Sequence, residues 1–291
     1  MFFVHPPFRL CPLVFLGVLF LLATTILSAE SPRQAQWDKV QKAINDGLPK
    51  TAEESLNPII EEALKEKAYP EAGKAICRKI ALEGNIQGNK PEEKIYRLEA
   101  AIASVPAELN PILTAVLARW YWHYFQQNNW RFLNRSATAQ LDDKDFTTWD
   151  LPKLFKKIGG LYLQVLKNRD ILVKQSIRDW KDFLELGNQP LEYRPTLYDF
   201  TLYQALEFFT SGEQAGAHPE DTFEIPAESP VLDDSKAFLS WKPKTTDTDS
   251  PKYQAVVLYQ ALLAFHASDK DPGAFLDADL WRLRWARTAA I

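Results

Sequence analysis

The sequence is poor in cysteine, glycine and methionine, with 2 Cys, 11 Gly and 1 Met among 291 residues. So few cysteines exclude a disulfide-stapled scaffold, and so little glycine excludes a collagen-like repeat. Positive charge is also short: 34 Lys+Arg stand against 38 Asp+Glu, a formal net charge of -4. Without a basic excess or a local basic patch, the chain lacks the long-range attraction for phosphate backbones, so no nucleic-acid partner is expected. Clean alternating strands, a Gly-rich phosphate loop, a Gly-x-Ser-x-Gly elbow and a His-Glu-x-x-His pair are missing too. What is there has an ordinary globular balance, 46% hydrophobic and 25% charged. That is enough chain for one large domain or about two ordinary ones.

Residues 1–29 read as a secretory signal peptide. Arg9 precedes an apolar run from Leu13 to Leu27, and the small residues Ser28-Ala29 come before Glu30. The run is about 15 residues and contains Thr24 and Thr25, short of the ~20 that a permanent span needs. Cys11 lies too early to accept a lipid after that run. Cleavage after Ala29 predicts export to the periplasm or cell envelope, with contact to a membrane only through an uncleaved segment. The mature chain then keeps about 262 residues, a net charge near -5 and one cysteine, Cys77. With no partner for a disulfide, it depends on its core.

The mature chain shows helical periodicity punctuated by proline and glycine. Ser31-Pro32 opens a first helix carrying Trp37, Val40 and Ile44, which Gly47 and Pro49 end. Thr51-Ala52-Glu53-Glu54 reads as a capping box for a second, in which Pro58 predicts a kink. Further helices are expected from Pro70 to Gly84, from Pro91 to Val105 and from Ala107 to Tyr124. Residues 133–149 read as an acidic loop. Pro152 starts a helix in which Gly159-Gly160 weakens the turn or admits a close neighbour. One helix is expected over 169–186, and another from the Thr196 cap to Gly212.

Residues 212–250 hold Pro219, Pro226, Pro230 and Pro243, and read as an ordered excursion or a mobile linker. Phe238 and Trp241 argue that part of it docks. Ser250-Pro251 opens a helix, and Asp271-Pro272 opens a last one still running at the chain end. The expected fold is all-α, an array of antiparallel helix pairs: 30–211 as the helical array, 212–250 as the excursion and 251–291 as C-terminal helices. The tetratricopeptide consensus is absent.

Candidate chemistry is sparse, and no catalytic, cofactor-binding or metal-binding residues are assigned. His123, His218 and His266 are scattered without metal spacing. Cys77 reads as a buried small residue. Asp269-Lys270-Asp271-Pro272-Gly273 resembles the start of a calcium loop but lacks its sixth-position Gly and twelfth-position Glu, so Asp271 reads as a helix cap. Asp142-Asp143-Lys144-Asp145 reads as a solvated loop. Trp120, Tyr124, Tyr162, Trp180 and Tyr203 fall at core spacing, with a sugar-stacking groove as the alternative.

Several blocks carry a resemblance. Asn45-Asp46-Gly47-Leu48-Pro49-Lys50-Thr51-Ala52 comes first. Arg119-Trp120-Tyr121-Trp122-His123-Tyr124-Phe125 follows and leads to Asn128-Asn129-Trp130-Arg131-Phe132-Leu133-Asn134-Arg135. Thr148-Trp149-Asp150-Leu151 and Arg194-Pro195-Thr196-Leu197-Tyr198-Asp199-Phe200 come next. Last is Tyr259-Gln260-Ala261-Leu262-Leu263-Ala264-Phe265-His266 with Asp269-Lys270-Asp271-Pro272. In this order they resemble the N-terminal helical leader of large bacterial alpha-2-macroglobulin family proteins.

The resemblance implies an exported, non-catalytic module of a broad-spectrum endopeptidase inhibitor, with proteases or envelope proteins as partners. The family's Cys-x-Glu-Gln thioester is absent: Cys77 is followed by Arg78-Lys79-Ile80. Bait and thioester regions are absent as well, which predicts a leader alone, truncated or separately encoded. Two alternatives stand beside it. One is a stand-alone periplasmic adaptor that binds a protein or peptide, which a groove lined by exposed aromatics would favour. The other is a carbohydrate-active helical enzyme, which two carboxylates facing across a cleft would favour.

Overall fold

Prolines and short polar side chains set where helices begin in this chain. Pro49, Pro91, Pro152 and Pro251 all sit in first turns, where a missing N–H costs nothing. Asp150, Thr196, Asp234 and Ser250 each accept a backbone N–H at a helix start. In a computed structural model, which describes residues 32–86, 88, 90–133, 144–218 and 223–291, these signals become helices. They run α1 (Gln34–Asn45), α2 (Pro49–Lys65), α3 (Tyr69–Ile86), α4 (Pro91–Ile102), α5 (Asn110–Leu133), α6 (Leu151–Leu166), α7 (Arg169–Leu172), α8 (Leu197–Phe209), α9 (Gln214–Ala217), α10 (Ser235–Ser240), α11 (Pro251–His266) and α12 (Gly273–Ala289).

The described residues hold no β-strand, only two isolated bridges. The protein is all-α. Met1–Gln34 and Ala35–Ile291 form separate units, and only residues 32–34 of the first are described. The stretch 1–29, read from the sequence as a signal peptide, therefore lies outside the described residues. Among the described residues, no helix is long and apolar enough to cross a membrane.

Within Ala35–Ile291 packing follows chain order: α2 on α3, α3 on α4, α4 on α5, α5 on α6, α6 on α8, α8 on α11 and α11 on α12. A small core of Val40, Leu56, Ile59 and Leu82 binds α1 to α3. A larger one continues from Ala63 to Ala286. Phe146 is its aromatic hub, with the rings of Tyr96, Tyr121 and Tyr124 at 5.3, 4.9 and 5.0 Å. Gly159 is where α6 meets α8: an added Cβ would lie 3.1 Å from Cζ of Phe209. Gly159 thus admits a close neighbour, the second of the two roles its sequence allowed, while Gly160 faces open space.

Pro58 lies inside α2, whose helical span continues across it to Lys65. Three expectations need correction. The expected Thr51 capping box does not form: α2 starts at Pro49, which puts Thr51 in the first turn, and its Leu48 cap makes no side-chain bond. The single helix over 169–186 is two short pieces, α7 and a 3-10 turn over Ile177–Trp180. There the Ile177 N–H donates to Pro195 O and the Leu197 N–H to Gln175 O, so the backbone is committed to a bridge instead of a helix. Finally, α12 does not run to the end. It stops at Ala289; the Ile291 N–H donates to Ile225 O and the Ala227 N–H donates to Ile291 O.

The 223–250 part of the Pro-rich stretch is ordered and docked. Phe223, Ile225, Val231 and Phe238 are buried in the main core. Arg282, fully buried on α12, holds this stretch by donating to Val231 O (2.7 Å) and Asp233 O (2.9 Å). Its guanidinium lies over Phe238, and Asp279 supplies the countercharge at 2.7 Å. Gln260 of α11 adds amide bonds to Phe238 O and Trp241 O.

Candidate functional site

The helices α5 and α8 leave between them a groove of about 700 Å³. Its α8 side is a stripe at three- and four-residue spacing: Phe200, Tyr203, Gln204, Glu207 and Thr210. Its α5 side presents Val116, Arg119, Trp120 and His123. The segment 183–191, freed from helix by the bridge to Thr196, forms a third wall. Tyr259 of α11 and Trp281 of α12 close one end. A smaller recess of about 260 Å³ shares Trp120 and His123.

Arg194 enters this groove stacked on Tyr203, 3.6 Å from the ring centroid, with Asp277 at 3.8 Å. Tyr203 donates its hydroxyl to the same Asp277 at 2.9 Å. On the α5 side Arg119 pairs with Glu207 at 3.2 Å. Both guanidinium groups therefore have a carboxylate for their charge, while Nε of Arg194 is buried without a hydrogen-bond partner among the described residues. Glu185 is exposed and makes no ion pair among the described residues. Burial pushes the Tyr203 hydroxyl far up, with Asp277 adding to the effect, so it stays a neutral donor.

Cys77 also lines the groove, half-buried and free. Burial pushes its thiol up to about 12, which keeps it protonated and inert near neutrality. His123 sits exposed at the rim. Of the five aromatics expected in the core, Tyr124, Tyr162 and Trp180 are buried there, whereas Trp120 and Tyr203 are half-buried and line the groove.

A second cluster lies next to the groove, with His266 and Asp199 closed to solvent and Asp269 exposed. His266, at the end of α11, places Nε2 2.8 Å from Asp199 Oδ1 and Nδ1 2.7 Å from Asp269 Oδ2. A carboxylate only accepts, so both ring nitrogens carry protons and the ring is an imidazolium. Desolvation pulls the His266 pKa down, but hydrogen bonds and charge from Asp199 and Asp269 outweigh it and raise the pKa. The other oxygen of Asp199 takes the Thr196 N–H (2.9 Å) and hydroxyl (2.7 Å), completing a capping box. With His266 and Asp199 both buried, this pair ties α8 to α11 and is shut off from a ligand.

The calcium-like run is spent the same way. Asp269 holds His266, Asp271 caps the Gly273 N–H at 2.9 Å, Asp277 takes Tyr203 and Asp279 takes Arg282. No group of three or more His, Cys, Asp or Glu placed to hold a metal occurs among the described residues. In the acidic loop, Asp145 caps a 3-10 turn by accepting the Thr147 N–H, while Asp142 and Asp143 lie outside the described residues.

Three blocks that carry the family resemblance meet here. Arg119, Trp120 and His123 come from one, Arg194 and Phe200 from another, and Tyr259 from a third. Sequence reading placed these residues separately but missed the groove, because its lining joins residues as far apart in the chain as Cys77 and Trp281. The one usable signal was the Thr196-x-x-Asp199 box, which fixes where α8 starts and so which of its faces turns to the groove. Compared with family models, curated proteins and solved structures, the chain matches none.

Proposed function

We propose that this chain is a non-catalytic helical module of an exported protein that binds a partner segment in the α5–α8 groove. The observation that carries the reading is the concentration of accessible rings, Trp120, Phe200, Tyr203 and Trp281, around about 700 Å³ of space. That volume lies within the ~300–1,000 Å³ of ordinary ligand pockets. Packing of successive helices supports an array of stacked antiparallel pairs, a scaffold suited to presenting such a surface. The carboxylates that line the groove, Glu185 and Glu207, are both exposed, and Glu207 is bound to Arg119. A glycosidase acid needs an apolar setting that holds it protonated, so this supports binding over sugar hydrolysis.

The sequence resemblance supports placing the module at the head of an alpha-2-macroglobulin-type endopeptidase inhibitor, exported by the segment 1–29. The groove then serves to dock an envelope protein or protease-bearing assembly. Selection of a random displayed peptide library on the full chain tests the binding role. Enrichment that vanishes on Trp120→Ala supports it, and no enrichment, or enrichment indifferent to Trp120→Ala, overturns it. The placement is tested separately by the mass of the native product detected with an antibody to residues 91–210. A band far above 33 kDa agrees with a leader, and one near 30 kDa leaves a stand-alone adaptor.

A further inference from the structure

The groove carries donors that the protein itself does not use. No acceptor within the described residues takes the indole N–H of Trp120 or Trp281, or the side-chain amides of Gln189 and Gln204. These donors share the lining with the rings of Trp120, Phe200, Tyr203 and Trp281, along a channel about 12 Å long on α5, from Ala115 to His123, and about 15 Å long on α8, from Phe200 to Thr210. A ligand complementary to this surface offers unsatisfied carbonyls to the donors and rigid apolar faces to the rings.

A polyproline II helix has both. It makes no internal hydrogen bonds, so every carbonyl is available, and its proline rings stack on aromatic plates at little entropic cost. At about 3.1 Å per residue, four to five residues span the channel. The other peptide modes fit less well. Strand addition needs a sheet edge, and none exists among the described residues. An amphipathic helix bonds its carbonyls internally and leaves these donors unmet. Phosphopeptide capture needs free arginines, and Arg119 and Arg194 are paired with Glu207 and Asp277.

Charge selects further. The full charge left unmatched in the lining is the exposed carboxylate of Glu185, on a chain whose net charge is -4. A cationic residue beside the prolines complements it locally, and the acidic surface favours its approach. Building on the groove reading above, we infer that the occupant is a proline-rich segment of four to five residues in polyproline II conformation, flanked by a lysine or arginine that meets Glu185.

Fluorescence anisotropy with the full chain tests this, using a labelled Arg-Pro-Leu-Pro-Pro-Leu-Pro-Pro peptide. Three controls accompany it: Ala for every Pro, Glu for Arg, and any peptide enriched from the random library. Pro-to-Ala replacement is expected to weaken binding at least about tenfold, as is Trp281→Ala in a variant whose circular dichroism and melting match the wild type. Glu185→Arg is expected to reverse the preference between the Arg and Glu peptides. Equal binding of the Ala peptide, or no reversal on Glu185→Arg, overturns the inference. If library peptides without proline bind and compete for Trp120, the groove reading survives and this one falls. If no peptide of any kind binds, both fall.

Discussion

Nε2 of His266 lies 2.8 Å from Oδ1 of Asp199, and both side chains are shut off from solvent, so a buried charge pair fastens the end of α11 to the start of α8. Removing one partner leaves the other charge buried and unpaired, which typically costs about 3 kcal/mol or more. The His266 pKa is raised in the fold. Its contribution is therefore complete below the unfolded value of about 6.5 and is lost as pH rises through the folded value. Urea unfolding of the wild type and His266→Gln should show the larger stability gap at pH 6 and a smaller one at pH 9. A gap that widens with pH contradicts the assignment.

Gly159 and Gly160 are neighbours on α6 with opposite expectations. At Gly160 a Cβ meets nothing within 4 Å, so Gly160→Ala should stabilise by up to about 1 kcal/mol through helix propensity. At Gly159 a Cβ presses on Phe209, itself buried against Phe208, and Gly159→Ala should cost about 1 kcal/mol net. Thermal melts of the two variants should move in opposite directions from the wild type.

The buried Arg282 is the latch of the 223–250 stretch. Arg282→Met keeps much of the volume but leaves Val231 O and Asp233 O without their donor and Asp279 without its partner. Limited proteolysis should then cut within 223–250 at a protease concentration that leaves the wild type intact. Unchanged resistance means that Gln260 and the apolar contacts hold the stretch alone.

Cys77 should resist alkylation. With the thiol pushed up to about 12, about one molecule in ten thousand carries the thiolate at pH 8. Iodoacetamide should leave Cys77 unmodified in the folded protein over an hour and modify it fully in urea, as read by peptide mass. Rapid labelling of the folded chain contradicts the burial.

Helix content was legible because it is local. Pro91, Pro152, Thr196 and Pro251 announce helix starts, and the apolar spacing after them carries the core. The misreadings arose where tertiary partners compete with local preference. Residues 169–186 have helical periodicity, but Ile177 and Gln175 spend their backbone groups on the 195–197 segment. Thr51 looks like a cap only until Pro49 is recognised as the first helical residue. His266 and Asp199 lie 67 positions apart, and nothing near either residue signals the other. Trp120 and Tyr203 show the same limit at the groove. Their spacing marks a helix face that packs inward, and their place in the groove lining depends on partners distant in sequence, the 183–191 wall among them.

Hydrogen–deuterium exchange on the full chain, with and without the tightest peptide from the library selection, tests the groove most directly. The account predicts that added protection concentrates at residues 183–191 and on the segments 115–123 and 200–210. Protection confined to α1–α3 or to the outer face of α12, where Leu276 and Leu280 are exposed, contradicts it.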